Sequence, residues 1–272
     1  MWKTMQAGLA LTLIAAALAG CATSTKPGAV GVTRSQMLTV PASEVDAMAL
    51  SSFNNQNQKA QAAGRLLTKG PEYDRLNRIA KRLQVQVPVF RDDAKSWNWQ
   101  LALIDAPVLN ASCAPGGKIT FYTGLIRQLK LTDDEIAMVM GHEIAHALRE
   151  HGRERMSQAQ AKGALGTLAM AMAPAKGVQI EIADKAAHYL FMLPNSRDHE
   201  SEADGMGLEL GARAGYEPQA AVRVWEKMAA VNKGSGKPAE FLSTHPSDAS
   251  RIAALTGMMP KVAPLYAAAK TN

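Results

Sequence analysis

Apolar positions recur with different periods along this chain, and the changes of period mark its structural elements. Over Glu72–Leu83 the apolar residues fall on one face of a helix. Over Trp97–Leu103, and again at Ile119 and Phe121, they alternate with a period of two, which predicts two short strands separated by the turn Pro115–Gly117. The pattern therefore predicts an α+β fold that is mainly helical, with a small β-sheet.

The next predicted helix has a well-defined start. Thr132 is followed three residues later by Glu135, which is the spacing of a capping box, and acidic residues occupy the first turn. We expect this helix to run to about Glu150 and to end at Gly152, because glycine commonly terminates helices.

Other segments also have helical features. Residues 42–67 are Gln-rich with helical spacing, Ser196 can cap a helix that ends at Gly215, and Pro218 stands at the start of another. The stretch Met156–Met192 is rich in Ala, Gly and Met, and its apolar part GALGTLAMAMA has eleven residues. Because a membrane-spanning helix needs about 20 residues, we expect this stretch to pack on the core or to form a flexible lid.

The first residues resemble a secretory leader. Lys3 precedes an uncharged apolar run of thirteen residues, Ala7–Ala19, which is shorter than the about 20 residues of a transmembrane helix. Leu18–Cys21 resembles the lipobox of bacterial lipoprotein signals, in which the cysteine is acylated and becomes the mature N-terminus. We therefore expect residues 1–20 to be a lipoprotein signal peptide, with Cys21 as the lipidation site and membrane anchor.

The residues after the leader suggest how the rest of the chain is organised. Ala22 lacks the acidic character that retains lipoproteins at the inner membrane, so by resemblance we expect an outer-membrane lipoprotein that faces the periplasm. Residues 21–41, rich in Thr, Ser, Gly and Pro, are expected to be a flexible tether. The expected catalytic domain covers residues 42–258, with a mobile linker at Lys233–Pro238, and residues 259–272 are a C-terminal tail.

Composition and charge exclude few functions. The chain has 272 residues and a formal net charge of +6 that is spread along its length without basic and aromatic interleaving, so we expect no nucleic-acid partner. It contains two cysteines. With Cys21 acylated, Cys113 is an unpaired thiol, which we expect to be a small buried residue.

Candidate chemistry lies within the capped helix. His142, Glu143 and His146 form the pattern H-E-x-x-H. Residues four apart on a helix share a face, so both imidazoles can converge on one metal ion while Glu143 stands one step around the helix as a base. This context favours a catalytic zinc site over a coincidental match on a surface helix.

Catalytic zinc takes three protein ligands and keeps one position open, so a third ligand is required. His151 lies off the ligand face of the helix and is better explained as a solvated histidine at the helix end. In the segment SRDHESEAD, Glu200 and Asp204 are four apart and share a face, whereas Glu202 points away. We therefore assign Glu200 to zinc, and Asp204 to the free N–H of a ligand histidine.

Small residues recur on both of these helices. Gly207 and Gly211 lie close to the direction of Glu200 around its helix, and Gly141 and Ala145 interleave with the histidines. Small residues at these positions would let the two helices approach closely. The alternative is that the glycines only loosen the helix.

Four segments in order give a specific resemblance: NASCAPGGKITFYTGLI from Asn110, HEIAHALREHGRERMS from His142, SRDHESEAD from Ser196 and STHPSDASRI from Ser243. Over residues 72–255 the chain resembles the HtpX-like and BepA-like branch of the zinc metallopeptidase family that includes the CAAX prenyl proteases, within the gluzincins. It departs from the membrane-embedded members in lacking their transmembrane helices. It resembles instead the lipoprotein or periplasmic members, which act in envelope protein quality control.

The resemblance implies a zincin-type catalytic domain and a zinc-dependent endopeptidase, with one Zn²⁺ per subunit held by His142, His146 and Glu200. Glu143 would take a proton from water and pass it to the leaving amine. The expected substrates are unfolded or misassembled envelope proteins, bound in extended form along an edge strand near Lys118–Tyr122. The alternative is a periplasmic chaperone or assembly factor with a zinc site and little proteolysis, and the intact base argues against it.

The resemblance also points to Asp204 and His245 as catalytic residues. Some members give Asp204 a proton-donor role, although orientation of a histidine is the simpler account. His245 either donates a hydrogen bond to the oxyanion of the tetrahedral intermediate or occupies the open position of zinc at rest. We favour the resting plug, because nearby Gly and Lys residues give the loop freedom to withdraw. The remaining alternative is a histidine packed at a helix start before Pro246.

Overall fold

The computed structural model describes residues 21–161, 163, 194–234, 240–245 and 249–271. The strands in chain order are β1 Cys21–Ala22, β2 Gln36–Met37, β3 Leu66–Leu67, β4 Gln100–Ile104, β5 Ala111–Ala114 and β6 Lys118–Tyr122. The helices are α1 Ala42–Ala62, α2 Pro71–Gln84, α3 Thr123–Gln128, α4 Asp133–Leu148, α5 His151–Ala161, α6 Arg197–Arg213, α7 Ala220–Gly234, α8 Glu240–Thr244 and α9 Ala249–Thr271. The expected signal peptide, and most of the Met156–Met192 stretch and of the Lys233–Pro238 linker, lie outside these residues.

The main sheet has four strands in the order β3-β4-β6-β5. Strands β4 and β6 are parallel, and the other two pairs are antiparallel. This arrangement confirms the predicted mainly helical α+β fold with a small sheet. Strand β5 was not predicted, because its sequence Ala-Ser-Cys-Ala has little of the β-branched and aromatic character that marks strands.

The strand order corrects the expected substrate edge. Strand β6, which covers Lys118–Tyr122, lies in the interior of the sheet between β4 and β5. The edge that packs against α4 is β5. Cys113 on β5 is buried, as expected, and burial raises the pKa of its thiol.

Helix α4 begins with the predicted capping box. The Thr132 hydroxyl accepts a hydrogen bond from Glu135 N, and the Glu135 carboxylate accepts one from Thr132 N. The helix ends at Leu148, before the predicted Gly152, because Glu150 adopts a left-handed conformation with φ 54°. This turn starts α5 directly at His151.

Helices α4 and α6 cross with their backbones in contact. A Cβ atom at Gly207 would lie 2.6 Å from His142 N, and one at Gly141 would lie 2.8 Å from Gly207 O. At Gly211 a Cβ would meet the side chain of Met138. Of the two interpretations of these glycines, the structure therefore shows the close approach, at the level of the candidate metal ligands.

The segment of residues 21–41 is packed on the domain. Strand β1 pairs with β2, and Val30 lies in the hydrophobic core. The guanidinium of Arg34 pairs with Glu154 at 2.6 Å and with Glu202 at 2.8 Å, both buried carboxylates. The expectation of a flexible tether is wrong for this segment, because its side chains complete buried ion pairs that the composition did not reveal.

The C-terminal residues also belong to the domain. Helix α9 continues to Thr271, and Val262 is fully buried in the main core. Residues 259–271 are therefore not the separate tail that we expected, because the helix that begins at Ala249 packs along α6. Within the described part of the chain, no helix is both long and apolar enough to span a membrane.

Candidate metal centre

Helix α4 supplies the first side chains of the centre. His142, Glu143 and His146 are buried, and the two Nε2 atoms of the histidines lie 3.0 Å apart. The Nδ1 atoms face other side chains: that of His142 lies 3.1 Å from Asp204 Oδ1, and that of His146 lies 2.7 Å from His151 Nδ1. Both rings therefore direct the same nitrogen, Nε2, to a common point.

Helix α6 brings a carboxylate to this point. Glu200 Oε1 lies 3.4 Å from His146 Nε2, and Glu200 Oε2 lies 3.5 Å from His142 Nε2. Asp204, one turn further along α6, lies behind the ring of His142. Glu202 points to the other side of the helix, where it pairs with arginines. The structure thus separates Glu202 from Glu200 and Asp204 as their helical spacing predicted.

His245 closes the remaining side of the cluster from the end of α8. Its Nδ1 atom lies 3.0 Å from Glu200 Oε1 and 3.2 Å from His142 Nε2. Its Nε2 atom lies 3.6 Å from Glu143 Oε1, and its ring stacks on Phe241. All the metal-centre residues singled out in the sequence therefore meet at one place.

The donor set fits zinc. The ligand atoms of His142, His146, Glu200 and His245 lie within 4.8 Å of one another, and all four residues are buried. Zinc–nitrogen bonds of about 2.0–2.1 Å at tetrahedral angles separate two ligand nitrogens by about 3.3–3.4 Å, close to the separations found here. Two imidazole nitrogens that face each other so closely repel unless a proton or a metal cation lies between them. Glu143 Oε1 is buried without a hydrogen-bond partner among the described residues, beside this point.

Burial is the largest electrostatic influence on the centre. It raises the pKa of the Glu143 carboxyl, because the nearby positive charge of the histidines only partly offsets the lost hydration. It lowers the pKa of His146 well below its usual range. For His142, hydrogen bonds to carboxylates outweigh burial and raise the pKa to about 9. For Glu200, the charge of His245 and hydrogen bonds from the histidines outweigh burial and hold the pKa well below its usual range.

Comparison with known proteins agrees with this geometry. The sequence profile of peptidase family M48 matches residues 72–259, which is more than half of the chain. The chain belongs to peptidase family M48. This membership confirms the zinc metallopeptidase family that the motifs resembled.

Several curated relatives are similar to more than half of the chain. The mitochondrial metalloendopeptidase OMA1 of Saccharomyces cerevisiae is 33% identical over 62% of this chain and 49% of its own length. The human mitochondrial metalloendopeptidase OMA1 is 33% identical over 60% of this chain and 33% of its own length. The beta-barrel assembly-enhancing protease of Escherichia coli is 32% identical over 56% of this chain and 32% of its own length. The chain thus spans about half or less of the length of these relatives, and the lipoprotein branch stays a prediction.

The M48 centre includes an arginine that sequence reasoning missed. Arg251 on α9 reaches Glu200 Oε2 and Asp204 Oδ1, each at 2.6 Å, and its guanidinium lies over the ring of Trp225. It balances two buried carboxylates that would otherwise repel each other. Its position in STHPSDASRI, six residues after His245, was the available signal.

The structure also places His151 differently from the sequence expectation of a solvated histidine. It is fully buried, with Nε2 2.9 Å from Glu202 Oε2 and its ring stacked on His199. Burial and the neighbouring histidines and arginines lower its pKa well below the usual range. The interpretation as a solvated histidine was wrong, because the left-handed turn at Glu150 directs the side chain back towards α4.

Proposed function

We propose that the chain is a zinc-dependent endopeptidase that hydrolyses peptide bonds in unfolded polypeptides. The observation that carries this proposal is the cluster of His142, His146 and Glu200 with the Glu143 carboxylate buried beside it. A purely structural zinc site needs no adjacent base, so this cluster favours hydrolysis over a chaperone that only retains zinc.

Each side chain of the centre has a distinct part in the proposed reaction. His142, His146 and Glu200 hold the metal. Bound zinc supplies a Lewis acid, which polarises the scissile carbonyl and acidifies water. Glu143 takes the proton of the attacking water and delivers it to the leaving amine. Asp204 accepts the Nδ1–H of His142, which keeps Nε2 of that ring free for the metal.

We propose that the substrate lies extended along β5. In the antiparallel pair with β6, Tyr122 N donates to Asn110 O, so by the two-residue alternation the backbone groups of Ala111 and Cys113 face away from β6. Ala111 N–H donates to Asn110 Oδ1, which leaves Ala111 C=O and the backbone groups of Cys113 for a substrate. A polypeptide added at this edge gains backbone hydrogen bonds that do not depend on its side chains. This mode favours broad specificity for unfolded segments.

Removal of the metal tests the activity directly. A chelator should abolish casein hydrolysis by the purified protein, and addition of one equivalent of zinc should restore it. Hydrolysis that persists after zinc content has fallen to zero would refute a zinc-dependent mechanism.

We propose that His245 is a resting plug of the metal site. Its Nδ1 atom lies with the three proposed zinc ligands, where a water molecule must bind during hydrolysis. His245→Ala should therefore raise turnover, by about tenfold for each 1.4 kcal/mol by which the plugged arrangement is favoured. Casein hydrolysis per bound zinc measures this effect. Turnover well below wild type, with zinc still bound, would instead support a hydrogen bond to the oxyanion.

We further propose that the enzyme acts at a bacterial envelope membrane as an outer-membrane lipoprotein facing the periplasm. Support comes from the lipobox-like Leu18–Cys21 and from similarity to the beta-barrel assembly-enhancing protease of Escherichia coli. The substrates would then be misfolded or unassembled envelope proteins. Cys21→Ser should release the protein from the membrane fraction and abolish its labelling by a palmitate analogue, whereas continued sedimentation after a salt wash would indicate another anchor.

A further inference from the structure

His151 lies directly behind one of the proposed metal ligands. The chain leaves α4 after Leu148, turns at Glu150 with φ 54°, and re-enters a helix at His151. This tight turn brings His151 Nδ1 to 2.7 Å from His146 Nδ1. The contact joins two rings that are five residues apart and that a continuous helix would point in different directions.

These contacts, together with the proposed metal role of His146 Nε2, determine which nitrogen carries each proton. A neutral His146 that uses Nε2 for the metal carries its proton on Nδ1, so His151 Nδ1 must accept that hydrogen bond. A neutral His151 then carries its own proton on Nε2. That atom lies 2.9 Å from Glu202 Oε2, which is a carboxylate acceptor. With His146 Nε2 on the metal, the two contacts together leave one neutral tautomer for each ring.

Glu202, the far end of this chain of contacts, is itself held in place. Arg149 Nε donates to Glu202 Oε2 at 3.0 Å, and Arg34 Nε donates to Glu202 Oε1 at 2.8 Å. The ring of His199 stacks on the His151 ring with a centroid separation of 4.3 Å. The His151 ring is thus restrained in its plane and along its hydrogen-bonding axis.

We propose that His151 is a positioning residue for the metal, which holds His146 in the tautomer and orientation that present Nε2 to zinc. It acts on His146 as the carboxylate of Asp204 acts on His142. The proposal rests on the ligand role proposed for His146. Partners of this kind commonly change metal affinity or activity by about 10–100-fold.

Two substitutions separate the two contacts of the ring. In His151→Asn, the amide oxygen stands at the same number of bonds from the backbone as Nδ1, so it can accept from His146 but cannot reach Glu202. In His151→Gln, the amide nitrogen stands where Nε2 was, so it can donate to Glu202 but offers no acceptor at the position of Nδ1. Zinc affinity, measured by competition with a chromogenic zinc chelator, should stay near wild type in the Asn variant. It should fall about 10–100-fold in the Gln variant.

The thermal unfolding of the zinc-free variants controls for packing. A merely structural role would lower the melting temperature without separating the two zinc affinities, and this result would overturn the proposal. Zinc affinity that is better preserved by Gln than by Asn would overturn it as well.

A third substitution, His146→Ala in the same titration, tests the ligand role of His146 separately from the positioning role of His151. Retention of tight zinc binding in this variant refutes the ligand assignment of His146. Loss of zinc binding there, together with unchanged zinc affinity in the His151→Gln variant, refutes only the role of His151.

Discussion

Replacement of Glu143 by Gln is expected to abolish peptide hydrolysis while zinc binding and the fold are retained. The side chain is buried beside the metal ligands, and its Oε1 atom has no hydrogen-bond partner among the described residues. Glutamine has nearly the same shape but cannot take a proton from water. Loss of a general base commonly costs about 10²–10⁴-fold in rate, so turnover should fall by at least about two orders of magnitude.

Helix α4 also offers a matched control for this substitution. Glu135 is buried on the same helix, where it caps the N-terminus and pairs with Lys227 at 2.7 Å, away from the metal cluster. Glu135→Gln should keep most of the hydrolytic activity, because glutamine also serves in a capping box. Casein turnover and zinc content, measured on both variants, test whether Glu143 is the general base. A Glu143→Gln protein within about tenfold of wild-type turnover would exclude this residue as the base.

Glu200→Gln is expected to reduce zinc binding most strongly among substitutions on α6. Glu200 is the only carboxylate of the four-residue cluster, and it lies within 3.5 Å of both motif histidines. Replacing it removes the anionic ligand of that cluster and leaves the Arg251 guanidinium next to the metal with less negative charge to balance it. Since partners outside the ligand set already change affinity by about 10–100-fold, we expect the zinc affinity of this variant to fall by more than about 100-fold.

The control for Glu200 lies further along the same helix. Glu209 is fully buried and pairs with Arg213, and its carboxylate accepts a hydrogen bond from Val30 N. Glu209→Gln retains an acceptor for that bond and lies outside the metal cluster, so its zinc content should be unchanged. Elemental analysis after dialysis against a weak chelator compares the variants. Equal zinc retention by both would show that Glu200 is not a ligand.

The sequence predicted those parts of the centre that depend on local helical geometry. The capping box at Thr132 and the four-residue spacing of His142 and His146 follow from the period of a single helix. The same reasoning distinguished Glu200 from Glu202, because a two-residue shift on a helix rotates a side chain by about 200°. The close crossing of α4 and α6 was one of the two interpretations that the spacing of the glycines allowed, and the structure shows it.

The contacts between distant segments could not be predicted in this way. Arg251 reaches Asp204 across 47 positions of sequence, and Arg34 reaches Glu154 across 120. A buried ion pair of this kind leaves no periodic pattern in either segment. The position of His151 depends on a left-handed conformation at Glu150, which non-glycine residues seldom adopt. In the sequence, Gly152 was the stronger indication of where the helix ends, but the helix already ends at Leu148.

With the proposed lipid on Cys21, the packing of residues 21–41 on the domain would limit where the proposed enzyme can work. A disordered linker of about twenty residues would let a catalytic domain move about 25 Å from its anchor. Here β1 begins at Cys21 itself, and the following residues are held by Arg34 and its carboxylates. With the proposed lipid on Cys21, the domain would rest directly against the bilayer. Its cleavage would be confined to polypeptides that come within one domain diameter of the membrane surface, such as chains stalled during insertion.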